Sequence, residues 1–344
     1  MSLPTRRQVW ILANPPSGPI QPDTFRLEEA ALPEVKDGEV LIQVDYLSND
    51  PAQRGMIQAG ADPKRAYRPP LTAGQPMGGT AVGKVLASKS QKYAAGDVVT
   101  GRFGWTDYDV IPDSQIDGRA VSLASRMRRS PPLGMTSVTA YQGIFDILNV
   151  KPEHVVVISG AAGAVGSVAV QLAKKVVGAK RVVGIAGGKE KCDWVVSLGA
   201  DACVDYKSPT FGADLKTALQ DDDVDRYFDN VGGVVFDTLL TVMRTKSKIG
   251  VCGQISSYNG VVTPFPRFGE VIKNRLTIEG FLVLDFLKEW PAAVADLAKW
   301  VKEGKLSTTE SETVVDASLA DVPEVWQRLF KGENRGKLVT KIAH

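Results

Sequence analysis

Hydrophobic and polar positions follow two different rhythms along the chain. Up to about residue 133, short apolar segments at 9–12, 25–28, 39–46, 79–86 and 97–100 are separated by turn residues. Within 39–46, Val40, Ile42 and Val44 alternate with Leu41, Gln43 and Asp45, the period of a half-buried strand, while Asp37-Gly38 and Ala95-Gly96-Asp97 punctuate between strands. The pattern predicts an antiparallel β-barrel. From residue 134 the rhythm changes: 134–145 reads as helix, and apolar strands at 154–159, 180–186, 202–206, 224–229, 247–252 and 276–281 are interleaved with helices at 189–198 and about 288–303. Near-continuous apolar strands alternating with helices predict a doubly wound parallel sheet covered on both faces. Residues 313–315 and 337–342 look strand-like again and are expected to rejoin the barrel, which divides the chain into 1–133 with 313–344, and 134–312.

The stretch that organises the second unit is 153–178. An apolar run ending at Ser159 meets Gly160-Ala161-Ala162-Gly163-Ala164-Val165-Gly166, and then Val165, Val168, Ala169, Leu172, Ala173 and Val176 recur at spacings of three and four. Lys174 and Lys175 fall outside that stripe, and Gly178 is placed as a C-terminal stop. Strand, small-residue turn and helix in this order let a diphosphate approach backbone N–H groups at the positive end of the helix dipole. Taken alone, the glycines would equally fit a turn that only packs a helix on a strand. The alternating context around them selects a dinucleotide-binding loop.

Composition narrows the picture further. The 344 residues are 44% hydrophobic and 23% charged, enough for two ordinary globular cores. With 41 basic against 39 acidic residues the net charge is +2, and Arg126, Arg128 and Arg129 read as a solvated connector, so nucleic acid is not an expected partner. No run is long enough to span a membrane, and the apolar segment at 9–12 is too short for a signal peptide, which makes a cytosolic location the default expectation. Three cysteines, Cys192, Cys203 and Cys252, sit beside apolar residues and are expected to be reduced thiols.

An NAD-preferring site places an acid at the end of the second strand, about twenty residues past the glycines. Here that strand runs into Ala186-Gly187-Gly188-Lys189-Glu190-Lys191, with no acid at the tip and two lysines able to neutralise a 2′-phosphate. NADP(H) is therefore the expected cofactor, with the alternative that the lysines only solvate a helix start; Glu190, one residue into that helix, reads as a partner of its dipole. A barrel joined to such a sheet could hold catalytic zinc, but the first 133 residues contain no cysteine, the only histidines are His154 and His344, and 74–76 reads Gly-Gln-Pro. No residue is assigned to a metal.

A set of stretches, in order, now adds up to a resemblance: Leu47-Ser48-Asn49-Asp50-Pro51 with Arg54, Gly134-Met135 with Thr139-Ala140-Tyr141, residues 159–166, Tyr227-Phe228-Asp229-Asn230-Val231-Gly232-Gly233, Cys252-Gly253-Gln254-Ile255-Ser256-Ser257-Tyr258-Asn259, and Gly332-Glu333-Asn334-Arg335-Gly336-Lys337. Together they resemble the zinc-independent leukotriene/prostaglandin reductases, the alkenal/enone double-bond reductase branch of the medium-chain dehydrogenase/reductase superfamily. The resemblance runs over essentially the whole chain. It implies an α/β fold of a doubly wound parallel Rossmann sheet plus a GroES-like antiparallel β-barrel domain, and NADPH-dependent reduction of a C=C bond conjugated to a carbonyl, in a cytosolic homodimer.

The same resemblance implies site residues. Lys191 and Tyr206 match the pair that holds the 2′-phosphate, Gly163 and Gly166 line the diphosphate, and Asn230 and Asn334 approach the nicotinamide half; Ala164, Val165, Gly187, Cys252, Gly253, Ser257 and Tyr258 complete the expected cofactor-binding set. Asn49, Ala52, Tyr258 and Phe281 form the expected substrate-binding set, with Tyr258 as the catalytic residue beside the substrate carbonyl. Hydride arriving at the β-carbon moves negative charge onto the carbonyl oxygen, and a phenol of pKa about 10 can hydrogen-bond that enolate without first losing its proton. One departure stands out: many relatives carry a tyrosine after the Asp-Pro pair, where this chain has Ala52. Tyr258 could instead only order its loop. The proline-interrupted segment 261–269 is expected to be a lid or subunit contact, and 281–283 to extend an edge strand across a dimer. Two other readings use the same architecture: an NADPH quinone oxidoreductase, and an NADPH-binding structural or sensor protein without turnover.

Overall fold

The computed structural model describes residues 3–66, 68–119, 134–260, 263–307 and 311–344. The basic connector with Arg126, Arg128 and Arg129 lies outside the described residues, as do Val261 and Val262 at the head of the proline-interrupted segment.

Strands β1 (Arg6–Leu12) and β2 (Phe25–Ala31) pair antiparallel, with Leu12 opposite Phe25. Strands β3 (Glu39–Ser48), β4 (Ala81–Ser88), β5 (Val98–Gly101), β6 (Tyr108–Pro112) and β7 (Ile116–Arg119) belong to a seven-stranded sheet. Its order is β14-β15-β3-β4-β5-β7 with β6 on β3, where β14 is Glu312–Ala317 and β15 is Lys337–Ile342. The tail thus returns to the first sheet, Thr340 lying opposite Leu47. One expectation is corrected: β14 and β15 run parallel, so the sheet is not wholly antiparallel. A parallel pair needs a crossover, and the helix Val322–Lys331 supplies it, burying Val322, Val325, Trp326 and Leu329. Trp326 stacks edge-on against Trp105 at 5.5 Å between ring centroids, and Trp105 lies 5.3 Å from Phe25, so the crossover fills the centre of the barrel core.

The second sheet contains β8 (Val155–Ser159), β9 (Arg181–Ala186), β10 (Ala202–Asp205), β11 (Val224–Asp229), β12 (Met243–Val251) and β13 (Thr277–Gly280), in the order β10-β9-β8-β11-β12-β13. Every neighbouring pair is parallel. Counted within the domain this is strand order 3-2-1-4-5-6, whose direction of progression reverses between β8 and β11, the switch point at which open α/β sheets bind ligands. All of β8 is buried, with Val156 and Ile158 in one core and Val155 and Val157 in the other. Helices on both faces explain why its sequence is a continuous apolar run rather than an alternation. The helix after the glycine loop begins at Gly166 and continues through a wider turn to Val177; Gly178, at φ 76°, ends it as expected. Strand β13 stops at Gly280, whereas 276–281 reads as strand in sequence: Phe281 turns inward onto Phe228 at 5.9 Å and the chain enters a short 3-10 turn, Val283–Phe286, so 281–283 do not extend the edge.

Gly166 is the position where strand and helix approach most closely, since a Cβ there would lie 2.2 Å from the Gly160 carbonyl oxygen and 2.8 Å from Ala161 Cα. Backbone atoms cannot swing aside as a side chain does. Gly166→Ala is expected to destabilise the fold by about 1–3 kcal/mol, the usual cost of overpacking, read as a lowered denaturant midpoint. An unchanged midpoint would contradict this packing.

Candidate cofactor and active site

The floor of the candidate site is a buried carboxylate. Asp229 ends β11 and Ser159 ends β8, side by side at the switch point. Asp229 Oδ1 accepts from Ser159 Oγ (2.8 Å), the Tyr227 phenol (2.5 Å) and Val231 N–H (3.1 Å), and Gly232 N–H reaches both carboxylate oxygens at 3.1 and 3.0 Å. Burial pushes this carboxyl above the ordinary carboxylate value, opposed by the bonds from Tyr227, Gly232, Ser159 and Val231; burial and the Asp229 charge together drive the Tyr227 phenol well upward. The next residue inherits the order. Asn230 N–H donates to Ser159 Oγ (2.9 Å) and its Nδ2 to the Ser159 carbonyl (2.7 Å), fixing the Asn230 amide at the mouth of the switch point.

The glycine loop lies beside it. A Cβ on Gly160 would meet Asn230 Cβ at 3.3 Å, so Asn230 packs against the loop directly. Ala164 and Val165 are half-buried at the start of the helix. From the other domain, the segment before β15 folds onto this loop: Gly163 and Gly336 form a parallel bridge, Gly336 N–H donates to the Ala162 carbonyl at 2.8 Å, and Asn334 Nδ2 donates to the Gly336 carbonyl at 2.8 Å. Gly163, Gly166, Asn230 and Asn334 are therefore gathered in one place.

At the end of β9 a second cluster forms. A Cβ on Gly187 would strike the Tyr206 ring at 2.8 Å and approach Lys207 Cε at 3.1 Å. Lys191 Nζ donates to the Gly332 carbonyl at 2.7 Å, and its pKa is lowered by burial and by the charge of Lys207. Gly188 N–H and Lys207 N–H both bond Asp205 Oδ1 at 2.9 Å, which holds the turn open. Two cations and a phenol thus converge beside this turn, where the nearby Asp205 carboxylate accepts from the two backbone N–H groups; the Glu190 side chain is 91% exposed, pointing to solvent beside Arg335. Lys207 is a member that sequence reasoning missed. Its signal was its place immediately after Tyr206, in the turn that follows β10, the strand neighbouring β9.

Tyr258 is carried by the loop after β12. Cys252 and Gly253 N–H groups bond the Asp229 carbonyl at 2.8 and 3.2 Å, and Ser256 bonds the Val231 carbonyl through N–H (3.1 Å) and Oγ (2.7 Å). Ser257 closes the turn onto the Gln254 carbonyl. The Tyr258 oxygen lies 3.2 Å from where a Gly253 Cβ would be and 3.5 Å from Gln254 N. Burial and Asp229 push the Cys252 thiol up to about 12, so it stays neutral here.

Of the expected substrate residues, Ala52 is exposed just before the short helix Gln53–Met56. Asn49 is 1% exposed and tied inside the barrel, its Nδ2 on Thr340 Oγ1 (3.0 Å) and its carbonyl on Lys337 Nζ (2.6 Å). Phe281 is 8% exposed in the core of the parallel domain. Neither is brought against Tyr258 by any of these contacts. Among the described residues, no group of three or more His, Cys, Asp or Glu side chains could hold a metal ion, and no helix is long and apolar enough to cross a membrane.

A 3-2-1-4-5-6 sheet with this loop at its switch point, closed by a barrel domain, defines the class of dinucleotide-dependent oxidoreductases. Residues 8–118 match the family described as the N-terminal domain of oxidoreductase, and residues 164–300 the family described as zinc-binding dehydrogenase. The chain is 35% identical to the NADPH-dependent curcumin reductase of Escherichia coli over 98% of its length and 97% of that protein's, and 35% identical to bovine prostaglandin reductase 1 over 92% and 93%. The crystal structure of CurA from Vibrio vulnificus in complex with NADPH superposes with a TM-score of 0.87 at 31% identity, covering 98% of this chain and 99% of that one. The chain belongs to the medium-chain dehydrogenase/reductase superfamily, in its zinc-independent reductase branch.

If Lys191 reads the 2′-phosphate, Lys191→Ala weakens NADPH binding by about ten- to a hundredfold, the worth of a charge-assisted hydrogen bond, and leaves NADH nearly unaffected. Titration of both cofactors by fluorescence checks this; equal losses would remove Lys191 from that role.

Proposed function

We propose that this protein is an NADPH-dependent ene-reductase, a 2-alkenal/enone double-bond reductase that transfers hydride to the β-carbon of α,β-unsaturated ketones or aldehydes without zinc. The observation that carries the reading is the Tyr258 phenol, held on a loop hung from the Asp229 carbonyl at the same switch point as the glycine loop. The residues fit the cofactor. Gly160, Gly163 and Gly166 leave a helix start bare of side chains, and Tyr206 and Lys207 lie against Gly187, with the Lys191 charge felt beside Lys207, where a 2′-phosphate needs positive charge and a donor. When bound, NADPH supplies the hydride.

The chain's own residues do the rest. Gly163, Ala164, Val165 and Gly166 receive the diphosphate; Asn230, Asn334, Cys252, Gly253 and Ser257 border the nicotinamide half. Tyr258 donates a hydrogen bond to the substrate carbonyl oxygen as negative charge builds there. Ala52, Asn49 and Phe281 complete the substrate side of the proposal; the small Ala52 leaves Tyr258 as its principal polar group. In this reading the protein acts in the cytoplasm as a homodimer. Support for the dimer is the apolar surface around β13, the outermost strand of its sheet, where Phe268, Ile272, Ile278 and Leu282 are 58%, 78%, 38% and 39% exposed.

The test is NADPH consumption over a panel of enones, enals, quinones and saturated carbonyls, for which turnover is expected with conjugated enones and enals. Turnover of quinones alone would transfer the protein to the quinone reductases. Tyr258→Phe is expected to lower kcat on the best enone by roughly a hundredfold, the cost of losing one oxyanion donor, with NADPH affinity little changed; unchanged kcat would sink the assignment. Sedimentation is expected to give a dimer, and a monomer would overturn that part.

A further inference from the structure

We propose that Arg54 is a positioning residue that fixes the Tyr258 loop from the barrel side of the domain interface. The inference rests on the role given to Tyr258 above. Arg54 sits on the short helix Gln53–Met56, immediately beyond Ala52, and is 1% exposed, one of the largest fully buried side chains in the protein. Its partners are neutral. Nε donates to Asn259 Oδ1 at 3.2 Å, Nη2 donates to the Gly18 carbonyl at 2.7 Å, and Nη1 is buried without an acceptor.

Burial lowers its pKa, yet a guanidinium keeps its proton inside proteins. A buried cation without a carboxylate is a poor way to stabilise a fold; an apolar side chain of similar volume is often neutral or better. What the charge and the planar fork do provide is direction. Nε and Nη2 hold two segments that are remote in sequence, the turn after β1 and the loop after β12, and those segments touch: a Cβ on Gly260 would lie 3.1 Å from Gly18 Cα. Asn259 directly follows Tyr258. The Tyr258 N–H reaches the Ile255 carbonyl at 3.4 Å and its oxygen stands 3.5 Å from Gln254 N, contacts made within its own loop. Arg54 holds the neighbouring residue from outside that loop, at 3.2 Å, and ties it to the domain that receives the substrate. With Ala52 in place of an aromatic side chain, this grip from behind sets the direction of the phenol.

Arg54→Met, Arg54→Lys and Asn259→Ala are compared with the unmodified enzyme, and Arg54→Met is also combined with Tyr258→Phe. Measured are the thermal midpoint, NADPH affinity, hydrogen exchange of residues 254–260 in the NADPH-bound enzyme without substrate, and kcat and KM for the best acceptor. Arg54→Met is expected to keep its midpoint and NADPH affinity, to speed exchange across 254–260, and to lose roughly ten- to a hundredfold in kcat, the cost of a small misplacement, with KM less affected. Asn259→Ala reproduces the exchange and a smaller kcat loss, and Arg54→Lys, which keeps the charge but not the fork, falls between. In the Tyr258→Phe background Arg54→Met costs little more. A lowered midpoint with kcat intact, unchanged exchange, or kcat losses that multiply with Tyr258→Phe would each overturn the proposal. If the unmodified enzyme reduces no enone, the functional reading fails by itself, while the exchange comparison still decides the role of Arg54.

Discussion

The structure depends on one carboxylate. Asp229 gathers a hydroxyl from β8, a phenol from β11 and two backbone N–H groups from the turn beyond it, all at the switch point of the parallel sheet. A carboxylate accepts at both oxygens and donates from neither, which suits a position surrounded by donors. Its backbone carbonyl then receives Cys252 and Gly253, so the loop that bears Tyr258 hangs from the same residue. The Asn230 amide and the Tyr258 loop are therefore positioned by a single buried group. An amide does not suit that position, because its NH₂ would face donors where an oxygen now accepts.

Three contacts hold the two domains together around the site. Lys191 bonds the Gly332 carbonyl, Gly163 pairs with Gly336, and Arg54 holds Asn259. Each joins the parallel domain to the barrel or to the tail that returns to it. The parallel pairing of β14 with β15 matters here, since the crossover helix Val322–Lys331 delivers the Gly332–Gly336 turn to the rim of the nucleotide loop. Lys191 serves two purposes at once, a clasp between domains and a cation at the strand tip.

Much of this was legible in the sequence because its periodicity is strong. The buried run of β8, the helix stripe ending at Gly178 and the return of residues 337–342 to the barrel all follow from pattern and turn chemistry. Strand β6 was missed because Tyr108, Asp109 and Pro112 break its alternation, and the crossover helix because the tail was read only for strands, although Val322, Val325, Trp326 and Leu329 carry a helical spacing. At the site, pattern reached the glycines and Lys191 but not Lys207, whose place depends on β10 lying beside β9. The Asp229 hub could be read only in part, since Tyr227, Val231 and Gly232 are its neighbours in sequence but Ser159, which ties it to β8, lies 70 residues away. Phe281, assigned to the substrate side by the resemblance, packs edge-on against Phe228 and is 8% exposed, a contact that its own stretch of sequence does not announce.

The central claim is that the reacting bond is a conjugated C=C and that hydride goes to its β-carbon. The most direct measurement uses NADPH deuterated on the transferred position of its nicotinamide ring, with an enone substrate and NMR of the product. The account predicts a saturated ketone with the label on the carbon β to the carbonyl. A label on the carbonyl carbon of an allylic alcohol would contradict it.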